Sequence, residues 1–303
     1  MVHPSSTTMA WTTEQIPPLT GTTAIVTGAN SGIGYFTALA LARAGADVIL
    51  GCRDPARGDA AARDLQSASG GRVTQIPLDL ADLSSVRTFV DRFQSDHPQL
   101  DILVNNAGVM ALPRRETTVD GFERQFGTNH LGHFALTGLL WPALRRSPAS
   151  RVVTVSSLMA WTARLDPDDL QSERRYHPMD VYSRTKLANL HFMLALARRA
   201  DGTGVRSIAA HPGMATTNLQ RHAFDRIAKI LGQSAAAGAL PSLYAATAPD
   251  ARAGGFYGPR WFGAYGAPTT AWLPRHARDE HIAARLWDQS EQLTGVRFPA
   301  GSA

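Results

Sequence analysis

Apolar positions along the chain fall into two alternating rhythms. Short runs rich in β-branched residues lie at Thr23-Ala24-Ile25-Val26, Asp47-Val48-Ile49-Leu50-Gly51, Arg72 to Pro77, Ile102-Leu103-Val104, Arg151 to Val155 and Val205 to Ala210. Runs this short and this apolar predict strands buried on both faces. Between and after them lie longer stretches with helical character, over about 32–44, 54–68, 82–96, 119–128, 131–146, 181–199, 223–231, 237–248 and 277–293. A further short strand is expected at 255–257. Strands that alternate with helices pair in parallel and carry helices on both faces. The pattern therefore predicts an α/β, doubly wound architecture with a mainly parallel seven-stranded sheet. Asp54, before Pro55, and Asp82, before Leu83-Ser84, read as helix caps. No linker or repeat divides the chain, so a single domain is expected over 19–303. It follows a Ser/Thr/Pro-rich arm at 1–18 that is expected to be flexible, with Trp11 as its anchor.

Composition narrows the function classes. A hydrophobic content of 44% with 18% charged residues fits a globular chain with a sizeable core. The net charge is +5, but the arginines are scattered, without the clustering that a nucleic-acid partner needs. Cys52 is the only cysteine. That excludes an internal disulfide and a cysteine-based metal site, and fits a reducing, cytoplasmic compartment. Residues 1–20 lack the pattern of a secretory signal, and no run of 18 apolar residues occurs, so no membrane insertion is expected.

The first strand runs directly into Thr27-Gly28-Ala29-Asn30-Ser31-Gly32-Ile33-Gly34, and a helix follows. Strand, glycine turn and helix together form the setting in which backbone N–H groups cradle a pyrophosphate, at the first turn of a Rossmann fold. At the end of the second strand, an acidic residue about 20 positions beyond the glycines would select NAD. That place holds Cys52 and then Arg53. A guanidinium there grips a 2′-phosphate bidentately, so NADP is the expected cofactor. Asp54 is the competing ribose ligand, but reads better as the cap. Asp79, after the third strand, is placed either to meet an adenine amine or to close a turn. Asn105-Asn106-Ala107-Gly108, after the fourth strand, either lines the cofactor or braces neighbouring strands.

Tyr182 and Lys186 stand four apart on one helix and share a face. With six tyrosines and only two lysines (Lys186 and Lys229) in 303 residues, a chance Tyr-x-x-x-Lys at that helical spacing is expected about 0.04 times. A carbonyl that receives a hydride also needs a proton, and a nearby ammonium is expected to lower the pKa of the phenol that gives it. Ser156 and Ser157 end the fifth strand, where either hydroxyl can reach a reacting oxygen. Asn129, in Thr128-Asn129-His130-Leu131-Gly132, sits at a helix junction near the lysine or caps a helix.

Taken in order, these motifs resemble the short-chain dehydrogenase/reductase family. The matching residues are Thr27-Gly28, Gly32, Gly34, Asn105-Asn106-Ala107-Gly108, Asn129, Ser157, Tyr182, Lys186 and Pro212-Gly213. Tyr182 to Leu190, His211-Pro212-Gly213 and Leu286 to Gly295 resemble the retinol dehydrogenase and protochlorophyllide-reductase-like branch. The resemblance implies an NADP(H)-dependent oxidoreductase with Tyr182 as general acid/base and Lys186 lowering its pKa and holding the nicotinamide ribose. It implies Ser157 orienting the substrate oxygen and Asn129 supporting a proton-relay water. Gly28, Asn30, Ser31, Gly32, Ile33 and Gly34 would hold the pyrophosphate side, with Arg53 at the 2′-phosphate. Asp79, Leu80, Asn106, Ala107, Gly108, Pro212, Gly213 and Thr216 or Thr217 would line the rest of the cofactor, and no metal is needed. The connection Leu158 to Met179 is longer than is usual in the family, which bears on the mouth of the site and on the expected homo-oligomer, a dimer. Phe224, Ile227, Ala228 and Leu231 have helical spacing and predict a lid within 214–235. Met159, Trp161, Met214, Phe224, Tyr257, Trp261 and Phe262 are expected to frame a pocket for a bulky, mainly apolar carbonyl or alcohol. The alternative readings are a non-catalytic NADP-binding sensor or scaffold, and an epimerase or dehydratase on the same fold.

Overall fold

The centre of the sheet is β1 (Thr23–Thr27), buried from Ala24 to Thr27. It pairs in parallel with β2 (Asp47–Cys52) on one side and β4 (Ile102–Asn105) on the other. The computed structural model describes residues 10–214 and 233–298. Beyond β2 lies β3 (Val73–Pro77); beyond β4 follow β5 (Arg151–Val155), β6 (Arg206–Ala210), β7 (Phe256–Trp261) and β8 (Tyr265–Thr270). The chain order thus reverses between β1 and β4. Parallel strands diverge into a crevice at their carboxyl ends at such a point.

Both faces of the strands are apolar because both are covered. Ala24 and Val26 of β1 face a layer made by α1 (Gly32–Arg43), α2 (Pro55–Ser69) and α8 (Ala235–Thr247). Ile25, one residue out of phase, faces the other layer. That layer holds Phe89 of α3 (Leu83–Asp96), Phe134 of α5 (Gly132–Leu139), Phe192 of α7 (Pro178–Arg199) and Trp287 of α9 (Glu280–Thr294). Asp54 and Asp82 cap α2 and α3 through side-chain bonds to backbone N–H groups. Trp11 stands edge-on to Tyr244 at 5.4 Å.

Among the described residues the sheet has eight strands instead of seven. The segment expected as a short strand at 255–257 is the start of β7, which turns at Phe262-Gly263-Ala264 into the antiparallel β8. Tyr-Gly-Ala-Pro-Thr-Thr lacks a strand signature. Pro268 is tolerated there because β8 is the sheet edge. The helix expected over 119–128 is also reduced. Thr117 and Glu123 form a β-bridge, and helix begins only at α4 (Arg124–Phe126). A π-helical stretch (Gly127–Leu131) then leads into α5, and α6 (Trp141–Arg146) follows with Pro142 in its first turn. The helix expected over 223–231, most of the 214–235 lid, and Thr216, Thr217 and Phe224 lie outside the described residues. No described helix is long and apolar enough to cross a membrane.

Candidate active site

The glycine turn sits at the carboxyl end of β1, at the switch point. Gly28 and Gly32 adopt φ of 65° and 60°, a region that side chains disfavour. Gly34 is needed for space. A Cβ there would stand 2.5 Å from Asn106 Nδ2 and 2.7 Å from the Gly28 carbonyl. Asn106 in turn donates to the Thr27 carbonyl at 2.8 Å, so the Asn-Asn-Ala-Gly loop is fastened to the glycine turn across the sheet. Ser31 precedes α1 without a side-chain cap, which leaves the helix N-terminus to whatever the turn holds. Asn30, Ser31, Gly32, Ile33, Asn106, Ala107, Gly108, Pro212 and Gly213 are all half-buried. They follow the carboxyl ends of β1, β4 and β6, the edge of a doubly wound sheet where a dinucleotide lies.

Arg53 is exposed just beyond β2, the strand beside β1. Asp54 is committed elsewhere, accepting from Arg57 N at 3.1 Å. Cys52 is buried, and burial pushes its thiol up to about 11. Asp79 closes a turn by accepting from Ala81 N at 2.9 Å. Leu80 is a core residue at 5% exposure, and its carbonyl fits only because residue 132 is glycine, where a Cβ would be 2.4 Å away.

Around β5 and α7 the structure brings Ser157, Tyr182, Lys186 and Asn129 together. The Ser157 hydroxyl accepts from Met159 N at 3.2 Å and lies near enough to the Tyr182 phenol to hold its pKa down against burial. Lys186 Nζ lies 5.6 Å from the centre of the tyrosine ring and donates to the Val155 carbonyl at 3.2 Å. Asn129 accepts from Val109 N at 2.8 Å and donates to the Val109 carbonyl at 2.9 Å and to Thr185 Oγ1 at 3.0 Å. Between asparagine and lysine lies Gly108, where a Cβ would be 3.1 Å from Asn129 Oδ1 and 3.6 Å from Lys186 Nζ.

The electrostatics differ from the expectation of a lowered phenol pKa. Burial pushes the Tyr182 phenol up to about 12, with the Ser157 hydroxyl opposing it. Burial also brings the Lys186 ammonium down to about 8. Removing both groups from water disfavours the charged form of each, so near neutral pH the phenol keeps its proton.

The structure also separates the two serines. Ser156 donates to the Lys186 carbonyl at 2.7 Å and clamps α7 to β5, whereas it is Ser157 that acts on the Tyr182 phenol. Thr27 and Thr185, which stood in the sequence motifs without a role of their own, and His133, which stood in none, join the site through hydrogen bonds. The connection 158–177 is anchored at both sides. Gln171 Oε1 accepts from Glu123 N at 2.7 Å, the Tyr176 hydroxyl donates to the Leu112 carbonyl at 2.7 Å, and Arg285 pairs with Asp168 at 2.6 Å. Of the residues expected to frame a pocket, Tyr257 instead packs in the core against Tyr244 at 4.9 Å. Trp161 stands edge-on to Trp272 at 5.8 Å. Met214, Trp261 and Phe262 are exposed.

The chain is similar to known proteins over most of its length. The short chain dehydrogenase family model matches residues 22–228. Retinol dehydrogenase 14 of Mus musculus is 43% identical over 296 residues, covering 91% of this chain and 86% of the relative. Human retinol dehydrogenase 13 is 42% identical, covering 92% and 86%. A crystal structure of an uncharacterised protein from Mycobacterium paratuberculosis superposes with a TM-score of 0.82 at 45% identity, covering 96% of this chain and 99% of that one. The NADP complex of Pseudomonas aeruginosa RhlG superposes with a TM-score of 0.65 at 27% identity, covering 78% and 94%. The chain is therefore an oxidoreductase that belongs to the short-chain dehydrogenase/reductase family, in its retinol dehydrogenase branch.

Proposed function

We propose that the protein interconverts a carbonyl and an alcohol on a bulky, mainly apolar small molecule, with NADP(H) as cofactor and Tyr182 as general acid/base. The observation that carries this reading is the convergence of three side chains beside β5 and α7: Lys186 Nζ stands 5.6 Å from the centre of the Tyr182 ring, and the Ser157 hydroxyl, oriented by Met159 N, acts on the same phenol. The nicotinamide, when bound, supplies or accepts the hydride. In the reducing direction the phenol gives its proton to the carbonyl oxygen. Its raised pKa keeps that proton in place near neutral pH. Ser157 is set for the same oxygen. With one lone pair taking the Met159 N–H, its hydroxyl proton is turned toward the Tyr182 side of the site, where the developing alkoxide would lie. Lys186 holds the nicotinamide ribose, and Asn129, locked on Val109 and Thr185, holds the relay that returns a proton to Tyr182.

The cradle of Gly28, Asn30, Ser31, Gly32, Ile33 and Gly34 holds the pyrophosphate. Asn106, Ala107, Gly108, Pro212 and Gly213 line the nicotinamide half, and Asp79 the adenine half. Arg53 meets the 2′-phosphate, and this cation where an acid would repel the phosphate is the argument for NADP over NAD. The retinol dehydrogenase names of the relatives support an extended apolar aldehyde or ketone as substrate. The test is NADPH consumption across a panel of aldehydes and ketones of increasing apolar bulk. Stoichiometric consumption with apolar carbonyls is the expected result. No consumption would support a sensor, and turnover without net consumption an epimerase.

A further inference from the structure

His133 lies one helical turn beyond Asn129, at the start of α5, and is 2% exposed. Its two ring nitrogens touch two different parts of the site. Nδ1 is 3.1 Å from the Asn129 carbonyl and Nε2 is 2.9 Å from Thr27 Oγ1. A carbonyl only accepts, so Nδ1 carries the ring proton and Nε2 is left as an acceptor. Thr27 Oγ1 accepts from both Asn106 N and Ala107 N, each at 2.9 Å. Those two bonds engage its lone pairs, and its single proton goes to His133 Nε2 at 2.9 Å, the nearer acceptor, with the Val104 carbonyl at 3.4 Å. From Asn129 the chain continues through Nδ2 to Thr185 Oγ1 at 3.0 Å, and from that hydroxyl to the Tyr182 carbonyl at 2.7 Å.

We propose that His133 is a positioning residue that ties the cofactor loop at Asn106-Ala107 to the Asn129–Tyr182 side of the site. The proposal rests on the function given above. Only a neutral imidazole fits, because a second ring proton at Nε2 would face a hydroxyl with no lone pair to spare. Burial, with the Lys186 charge acting in the same direction, keeps the ring neutral. The two ends have separate duties. The Thr27 end holds the backbone that borders the cofactor, and the Asn129 end holds the asparagine whose amide fixes Val109 and Thr185.

Three variants separate those duties. His133→Asn keeps a donor at the Nδ1 position and loses Thr27. His133→Gln keeps an acceptor at the Nε2 position and loses Asn129. His133→Phe keeps the ring volume and loses both. NADPH affinity is read by fluorescence titration and kcat at saturating NADPH with a soluble aldehyde. His133→Asn is expected to weaken NADPH binding on the order of tenfold with kcat within about twofold of wild type. His133→Gln is expected to lower kcat on the order of tenfold with NADPH affinity within about twofold. His133→Phe combines both losses. Asn and Gln variants with unchanged kcat and NADPH affinity overturn the proposal. So do variants in which both quantities fall together with the melting temperature, since that is what a purely structural histidine gives. Tyr182→Phe is measured alongside. If it retains turnover the proposed chemistry fails, while the split in NADPH affinity still judges His133.

Discussion

Alanine at Ser156 and alanine at Ser157 should have opposite effects, although the two hydroxyls are neighbours at the end of the same strand. Ser156 is 1% exposed and donates to the Lys186 carbonyl at 2.7 Å. That oxygen is inside α7, so the loss is one ordinary buried hydrogen bond, about 1 kcal/mol. For a chain of this size, this lowers the melting temperature by roughly 2–4 °C, with kcat almost untouched. Ser157 is half-buried, oriented by Met159 N and placed beside the Tyr182 phenol. Removing a donor aimed at a developing oxyanion costs about 3–4 kcal/mol of transition-state stabilisation, or on the order of 10²–10³ in kcat. Its effect on stability is confined to one cap of the four-residue turn Leu158–Trp161. Thermal melts and NADPH oxidation at saturating substrate measure both. If Ser156→Ala loses more kcat than Ser157→Ala, the assignment of the two hydroxyls is wrong.

Other outcomes follow from the same geometry. Arg53→Asp should raise the NADPH KM by on the order of 10–100-fold and favour NADH; an unchanged cofactor preference would remove Arg53 from the 2′-phosphate. Gly34→Ala places a methyl 2.5 Å from Asn106 Nδ2. It should destabilise the fold by about 1–3 kcal/mol and weaken NADPH binding, read by melting and titration; a normal NADPH affinity would show that the turn does not need this close approach. Buried His133, His191 and His211 are held down to about 4, and His130 to about 3. Unfolded imidazoles titrate near 6.5, so between those values the unfolded chain binds more protons than the folded one. Stability is then full above pH 6.5 and falls on acidification toward pH 4, by up to about 1.4 kcal/mol per histidine per pH unit. A melting temperature that stays flat from pH 7 to pH 5 would contradict this burial.

What the sequence made legible was local. The glycine turn, the caps at Asp54 and Asp82 and the Tyr182–Lys186 spacing depend on residues a few positions apart, so each could be read from its own neighbourhood. Ser156 and Ser157 could not be told apart in that way. Which hydroxyl meets α7 depends on how the helix docks against β5, and only the ordered set of family motifs favoured the second. His133 was hidden for a related reason. One of its partners is four residues away, but the other is Thr27, joined to it only by the folded sheet. β8 was invisible because its Gly and Pro carry no strand propensity and its pairing comes from the preceding hairpin. The expectation of a lowered phenol pKa at Tyr182 rested on the nearby lysine alone and omitted burial, which dominates for both side chains.

The central claim is that Tyr182 delivers the proton. Tyr182→Phe removes one oxygen and leaves the ring, α7 and the cradle in place. Measured as NADPH oxidation with an apolar aldehyde alongside NADPH titration, the variant should lose on the order of 10²–10⁴ in kcat while binding NADPH with nearly wild-type affinity. Turnover within a few-fold of wild type, at equal NADPH affinity, would contradict the account.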